Sequence, residues 1–496
     1  MKKITFLLIP FLFLCQMSLW AQEGNNPYGY LHKALQYSSQ NLNGDAGAGL
    51  FPSVASAHGY GSFIDNPASM ALLDKSSVNF SFYNNQVEHH NMYLGNALVA
   101  DDSATQIGSI GFVYQMPVER GSMVIGAGYN QLIHQLGRTR IKGRNSENTI
   151  TDSFKFRFSD HHNIAFNTYA IDWGDADGTY TESIFRIGFD RYPGITQEAE
   201  ITYNTDIGEY SAFVGTEFKK GIFVGISFGH TVGTYSYSRN FYEIDTENDY
   251  NYNFIPSDSP GDSTDIDNIW LYDKMKAEVW GYNVRGGLIY QITPNINIGI
   301  SYLAPYALKA RESYSALIRT ELDDGSTPFQ DEKESDEDLI YKVKNPGQLK
   351  IGVTANNIGP FSVSVSGEYI DYSELKLITG LKFDNENDFI EDNYKEVFNI
   401  KTGVKVAFTD ITKFKAGYAY LPGKSKKFAA NRNVFFGGIS SKLSSDIILE
   451  VSGQYSMWDD RSVAYDYENF SGDLFEQTIS KQSNSLFIQT GVKFLF

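Results

Sequence analysis

One pattern constrains this chain more than any other. From about residue 76 to the C-terminus, apolar side chains recur at every second position, the period of a β-strand. In the last segment Ile488, Thr490, Val492, Phe494 and Phe496 share one face, opposite Gln489, Gly491 and Lys493. Ile447, Leu449, Val451, Tyr455 and Met457 oppose Glu450, Ser452, Gln454 and Ser456 in the same way, and Ile296, Ile298, Ile300 and Tyr302 alternate with Asn295, Asn297, Gly299 and Ser301. A soluble sandwich also alternates, so the connections must arbitrate. Fourteen strands are read at 76–84, 106–117, 121–135, 205–219, 221–244, 272–292, 295–315, 338–356, 361–378, 393–408, 412–421, 431–442, 446–458 and 483–496. Short turns such as Lys219–Gly221 and Thr293–Asn295 alternate with long connections at 85–105, 136–204, 245–271, 316–337, 379–392, 422–430 and 459–482. An even strand number with tight turns at one end and long loops at the other marks an outer-membrane barrel. Closure satisfies every backbone N–H and C=O in hydrocarbon, which an open sheet does not. The expected fold is all-β: a 14-stranded antiparallel transmembrane β-barrel over residues 76–496, oily outside and small or polar within.

Residues 1–21 read as a signal peptide, with Lys2-Lys3 ahead of the apolar run Ile4–Cys15 and a cleavage point near Ala21. That run is too short for a membrane anchor, which needs about 20 apolar residues. The only cysteine, Cys15, lies inside the leader, so an exported chain carries no disulfide, Cys-metal site or Cys nucleophile. The net charge is −18, and loss of Lys2 and Lys3 takes it to −20, which argues against nucleic acid as a partner. With 33 Tyr and 35 Phe but only 14 Pro, the chain has enough apolar surface to offset ordering entropy.

Residues 22–75 break the strand rhythm. They are rich in Gly, Ala, Ser and Asn, with a short helix expected near Tyr30–Gln40 and no apolar stripe broad enough for a separate domain. A compact N-terminal hatch lying in the polar lumen fits that composition.

Three pieces of the chain resemble the FadL and TodX family of outer-membrane channels for hydrophobic compounds. They are Gly59-Tyr60-Gly61-Ser62-Phe63-Ile64-Asp65-Asn66-Pro67-Ala68-Ser69-Met70-Ala71, then Trp280–Leu288 running on to Pro294–Tyr302, and Asn345–Val353 followed later by Lys415–Tyr420. The Ala34-Leu35-Gln36-Tyr37-Ser38 opening is similar to Bacteroidetes-type members. The resemblance covers nearly the whole mature chain through the order of its motifs. It implies fourteen strands, a lumenal hatch, an external apolar groove that captures ligand, and a kinked third strand that opens the wall sideways.

Within that frame, Asn66, Pro67 and Ala68 are the hatch and gating residues: Pro fixes φ and Asn caps a turn with its side chain. Gly126 and Gly128 are the candidate kink of strand three, since interior Gly often marks a bulge. Tyr235, Tyr237, Phe241, Tyr242, Trp270 and Tyr272 are the candidate capture loop. Other motifs carry less. Gly225-Ile226-Ser227-Phe228-Gly229 matches a hydrolase elbow but lies in a continuous strand pattern. Gly423-Lys424-Ser425 lacks the upstream Gly of a phosphate loop, Tyr418 standing there instead. His89-His90 and His161-His162 read as solvated loop pairs, and Asp172, Asp175 and Asp177 fail the calcium-loop spacing around Gly178. The acidic run Asp331 to Asp338 reads as a solvated charge run that could share divalent ions with lipopolysaccharide.

The expected function is passive outer-membrane transport of a hydrophobic small molecule such as a fatty acid, by a monomer in contact with outer-membrane lipid and lipopolysaccharide. No enzyme activity, metal or cofactor is expected. The alternative is a barrel of the same family that serves a secretion system or a cell-surface partner, like the type IX shuttle barrel it also resembles.

Overall fold

The computed structural model describes residues 30–38, 42–49, 51–155, 161–187, 192–250, 255–256, 263–323, 329–335, 338–379, 382–426, 430–468 and 474–496. The expected leader lies outside them, as do Asp336 and Glu337 of the acidic run. Fourteen strands form the wall. They are β1 (Ser77–Tyr93), β2 (Asn96–Met116), β3 (Met123–Asn145), β4 (Ile195–Lys219), β5 (Ile222–Ile244), β6 (Ile266–Thr293), β7 (Ile296–Leu303 and Tyr306–Leu322), β8 (Leu339–Asn345 and Gln348–Ile358), β9 (Phe361–Asp371), β10 (Glu396–Ala407), β11 (Thr412–Leu421), β12 (Arg432–Lys442), β13 (Ile447–Glu468) and β14 (Leu474–Leu495). Each pairs antiparallel with its sequence neighbour, and β14 returns to β1 from Ser77↔Leu495 to Met92↔Ser480. The ring of strands closes on itself, and alternation sorts its faces. In β1, Val78, Phe80 and Phe82 are exposed outside, while Asn79, Ser81 and Tyr83 are buried inside. A closed wall with an oily outer face is the architecture of an outer-membrane protein. No helix among the described residues is long and apolar enough to cross a membrane.

The strands outrun the sequence expectation at their outer ends. The anticipated 85–105 loop is strand on both sides of a tight turn at Leu94-Gly95, where φ is 47° and 81°. Likewise β13 continues to Glu468, and β14 begins at Leu474. About ten tilted residues cross the hydrocarbon, and β6 has 28. Above the membrane the outward positions of β1 become Asn84, Gln86, Glu88 and His90. Both faces are polar there, so the apolar period that announces a strand disappears while the backbone ladder continues.

Two parts of the chain lie inside this cylinder. Residues 42–49 and 51–73 lie against the inward faces of the strands and bond to them on several sides. Asn297 donates to the Ala55 carbonyl (3.2 Å), Ser364 to Pro52 (3.2 Å), Lys493 to His58 (3.2 Å) and Ser122 to Ala71 (2.7 Å). Helix α1 (Tyr30–Ser38) stands above, with Lys33 paired to Glu312 of β7 at 2.6 Å.

The second part is the insertion between β3 and β4, whose described residues 146–155, 161–187 and 192–194 are folded rather than a loose loop. It carries a 3₁₀ turn at Ile150–Phe154, helix α2 (His162–Asn167) and a hairpin pairing Ile171–Trp173 with Thr181–Ser183. Its contacts reach opposite sides of the barrel: Asn148 to Tyr465 of β13 (2.6 Å), His161 to Asp273 of β6 (2.6 Å) and Asn167 to Asp331 beside β7 (2.7 Å). It therefore lies across the outer mouth. Its Ile150, Phe154, Ile164 and Phe185 join one buried cluster with Tyr235, Tyr237 and Phe241 of the wall.

Candidate functional site

The Asn66-Pro67-Ala68 turn is built as a fixed anchor. Asn66 caps the 3₁₀ turn Pro67–Leu72, its Oδ1 accepting from the Ala68 N–H at 2.9 Å, and Pro67 occupies the first position, where no N–H is needed. Its Nδ2 donates to the Val54 carbonyl (2.7 Å) and approaches the Leu288 and Ile300 carbonyls of the wall (3.3 and 3.4 Å). Lumen-facing glycines make room for it: a Cβ at Gly225 would collide with Pro67, and one at Gly287 with Asn66. The elbow-like Gly225–Gly229 stretch is thus ordinary β5 strand whose first glycine seats the anchor. A second tie joins the same segment to β8, Lys350 pairing with Asp65 at 3.0 Å and with Glu368 at 3.3 Å.

The wall is interrupted between β2 and β3. The β2–β3 ladder runs from Met116↔Met123 to Ser109↔Asn130 and stops. Above that level β2 pairs only with β1, and β3 only with β4. Each strand carries an extra residue at the break, Gly108 in β2 and Leu132 in β3. The carbonyls freed on β3 are taken by the lumenal segment: the Leu42 and Gly44 N–H groups donate to Leu132 (3.0 Å) and Gln131 (3.1 Å). Gln106 of β2 and Gln131 of β3 both donate to Asp206 of β4, at 2.8 and 2.7 Å. The expected kink at Gly126 and Gly128 is corrected. Both pair without a break, to Val113 and Gly111 on one side and to Phe213 and Ser211 on the other. A Cβ at either would strike neighbouring strands or rings, so those glycines serve close packing. The irregularity begins three residues beyond Gly128.

Behind the break lies a cavity of about 310 Å³, within the range of small-molecule sites. It is bounded by Leu42 of the lumenal segment and by His134 and Leu136 of β3 on the side of the break. Across the lumen its wall combines aromatic rings and cations with the carboxylates of Asp65, Glu368 and Asp460. Arg432 lies over the Trp458 ring at 4.5 Å, and Lys424 over Tyr372 at 4.6 Å. Neither cation has a carboxylate within salt-bridge distance among the described residues, and the Arg432 Nε is buried without a partner. Burial, reinforced by the Arg432 charge, pushes the Lys424 ammonium down to about 7. Sequence reasoning dismissed Lys424 with the failed phosphate loop. No local signal brings residue 424 to residues 372 and 432.

The six capture residues divide by strand parity. All lie in β5 and β6 rather than in a loop. Tyr235, Tyr237 and Phe241 point inward and are buried beneath the insertion. Tyr242, Trp270 and Tyr272 point outward, Tyr242 stacking on Trp270 at 6.0 Å and Trp270 meeting Tyr272 at 6.2 Å. A strand shows alternate residues to opposite faces, so the six cannot share one surface.

The histidine pairs are corrected as well. His89 is buried and bonded to Ser483 at 2.7 Å, while His90 faces out beside Glu88. His161 sits between Asp273 and Tyr314 (2.6 and 3.0 Å), and His162 bonds to the Phe154 carbonyl at 2.8 Å. Burial would raise the Asp273 carboxyl, but the Arg239 charge and then His161 hold it well below the usual range. Asp175 closes a turn by accepting from the Thr179 N–H at 2.8 Å. Among the described residues no three His, Cys, Asp or Glu side chains converge as a metal site.

No family model and no curated protein matches the chain. Among solved structures it is similar to the Ralstonia pickettii toluene transporter TbuX, with 14% identity, 89% of this chain and 95% of that chain covered, and a TM-score of 0.46. It is also similar to the P. putida toluene transporter TodX (11%, 89% and 95%, TM-score 0.48) and to a Pseudomonas aeruginosa FadL homologue (11%, 92% and 99%, TM-score 0.47).

Proposed function

We propose that this barrel is a passive channel for a hydrophobic molecule with an acidic head, such as a fatty acid, which leaves the lumen sideways into the bilayer. One observation carries the reading: the β2–β3 ladder stops at Ser109↔Asn130, and the cavity containing Arg432 and Lys424 reaches the inner side of that break. In a membrane barrel, open backbone at such a place is tolerated only where something else satisfies it. Here the Leu42–Gly44 segment does so, and it is the segment that must shift for the opening to clear. The acyl chain gains by leaving water, about 25 cal/mol per Å² of apolar surface buried. The head is met by Arg432 and Lys424, neither of which has a carboxylate within salt-bridge distance among the described residues. Asn66 and the Asp65–Lys350 pair hold the far end of the lumenal segment, so its displacement stays local to residues 42–49. The sequence resemblance described above supports the same reading.

The test exploits the absence of cysteine beyond Cys15. A Gln106→Cys/Gln131→Cys variant in liposomes is bridged across the opening with a short bis-methanethiosulfonate. Uptake of labelled dodecanoate should stop on bridging and return with dithiothreitol. Uptake that continues through the bridged protein overturns the lateral route. Uptake no faster than in protein-free vesicles overturns transport.

A further inference from the structure

The outer wall treats its cations in two ways. At the β3–β4 seam each has a partner: Arg138 and Arg140 share Glu200 at 2.6 and 3.5 Å, and Lys142 pairs with Glu198. On the far side, strand alternation turns Lys309 of β7, Lys342 and Lys344 of β8, and Lys376 of the short strand Lys376–Ile378 to the outer face. The register sets Lys309 directly opposite Lys342, and Lys344 directly opposite Lys376. Arg311 beside them is matched by Glu278 and Asp338. The four lysines have no carboxylate within salt-bridge distance among the described residues, and Lys309 lies 5.1 Å over the Trp280 ring. Like charges directly opposite destabilise a strand pair. In a chain with a net charge of −18, paired lysines with no carboxylate within salt-bridge distance among the described residues call for an anion from outside.

Its height says which anion. The row holding Lys344 and Lys376 continues through Ala307 towards Tyr282, which is 71% exposed. Immediately below come Tyr302, Leu349 and Tyr369, paired across β7, β8 and β9, then Ile300 and Ile351, all exposed to lipid. Exposed tyrosines above an aliphatic band mark the headgroup level of a bilayer. Long strands continuing beyond the lysines make this the outer leaflet. We propose that Lys309, Lys342, Lys344 and Lys376 form a docking surface for a phosphorylated, multiply acylated glycolipid of the outer leaflet. Its sugar phosphates lie between the two lysine pairs, and its acyl chains run down the Leu349, Ile300 and Ile351 strip. Two phosphates on a rigid disaccharide can span two lysine pairs, which a single-phosphate phospholipid does not.

Native mass spectrometry of the intact barrel in non-ionic detergent tests this, with bisphosphorylated lipid A as probe and dephosphorylated lipid A and phosphatidylglycerol as comparisons. Wild type should retain lipid A at least about tenfold more tightly than either comparison, with affinity falling as salt rises. A Lys309→Gln/Lys342→Gln/Lys344→Gln/Lys376→Gln variant should lose that preference, and Arg140→Gln/Lys142→Gln should keep it. Equal retention of the dephosphorylated lipid, or of phosphatidylglycerol, overturns the proposal on wild-type protein alone. So does a heat-modifiable, folded quadruple variant that binds lipid A as wild type does.

Discussion

Arg432 spreads its guanidinium over the indole of Trp458 at 4.5 Å, and its one hydrogen bond among the described residues is a long one, 3.3 Å to Ser485. A half-buried guanidinium whose Nε is out of water normally has a carboxylate partner, because an unpaired charge loses hydration without recompense. Here the aromatic face offsets part of that loss and leaves the donor edge free for a ligand. Arg432→Gln should therefore weaken binding of dodecanoate by roughly 10- to 100-fold, the worth of a charge-assisted hydrogen bond. Binding of dodecanol should change little. Titration followed by Trp458 fluorescence separates the two, and an equal loss for acid and alcohol would refute a charge-reading site.

Lys424 adds a pH dependence with a definite sign. Its ammonium is pushed down to about 7, so it is cationic below that pH and neutral above. A bound carboxylate stabilises the cation, so binding takes up a proton once the pH exceeds 7. Dodecanoate affinity should fall by up to about tenfold between pH 6 and pH 9. Lys424→Arg, which keeps its charge throughout this range, should flatten the profile. An identical slope in the arginine variant would remove Lys424 from the site.

These two residues show where a linear reading stops. The wall was legible because lipid imposes one rule on every membrane-crossing residue, so Phe80, Ile300 and Ile488 each report the same face. Composition and resemblance also singled out Asn66-Pro67-Ala68, whose Asn66 amide donates to the Val54 carbonyl and approaches those of Leu288 and Ile300. The upper strand halves were not, since water imposes no alternation on Asn84 or Glu88. Nor was the cavity, because Leu42, Tyr372, Lys424, Arg432 and Trp458 meet only through closure of the barrel. The break was misplaced for a related reason. Glycine marks sites where strands come close, as at Gly126 and Gly128, whereas the real irregularity is a pairing mismatch at Gly108 and Leu132.

The anchor reading of Asn66 has its own signature. Asn66→Ala removes the turn's cap, worth about 1 kcal/mol, and leaves the buried Val54 carbonyl unpaired, a further loss of about 1–3 kcal/mol. The barrel itself should assemble normally. Hydrogen exchange across residues 51–72 should quicken, and vesicles should leak small polar solutes that wild type retains. Unchanged protection of that segment would show that the turn is held by packing against Gly225 and Gly287 alone.

The insertion across the mouth rests on a carboxyl that prefers its proton. Burial pushes Glu243 up to about 7, against the bonds it accepts from the Thr149 hydroxyl, the Gln197 amide (2.6 Å) and the Ile150 N–H (2.8 Å). A carboxyl raised in the folded state gives stability that is complete below about 4.5 and declines until the pH reaches 7. Exchange protection of the Ile150–Phe154 amides, corrected for intrinsic rate, should therefore drop between pH 5 and pH 8. Glu243→Gln, neutral throughout, should hold its protection constant, and a parallel drop in that variant would exclude Glu243 as the cause.

The mismatch itself can be removed. In β3 the pairing with β4 steps from Gln131↔Gly208 to Ile133↔Ile207, so Leu132 is the surplus residue and its deletion leaves the register on either side unchanged. A bulge of this kind bends its strand and breaks the neighbouring ladder. Without it, β3 should straighten towards β2, and the carbonyls now taken by Leu42 and Gly44 should return to the wall. The deletion should give a heat-modifiable barrel that still binds dodecanoate at Arg432 but no longer passes it into the bilayer. Gly128→Ala should do the reverse: its added Cβ meets the Ile110 carbonyl and the Tyr60 hydroxyl, so folded yield falls while protein that does assemble transports normally. Transport that survives loss of Leu132 in a folded barrel would move the exit elsewhere in the wall.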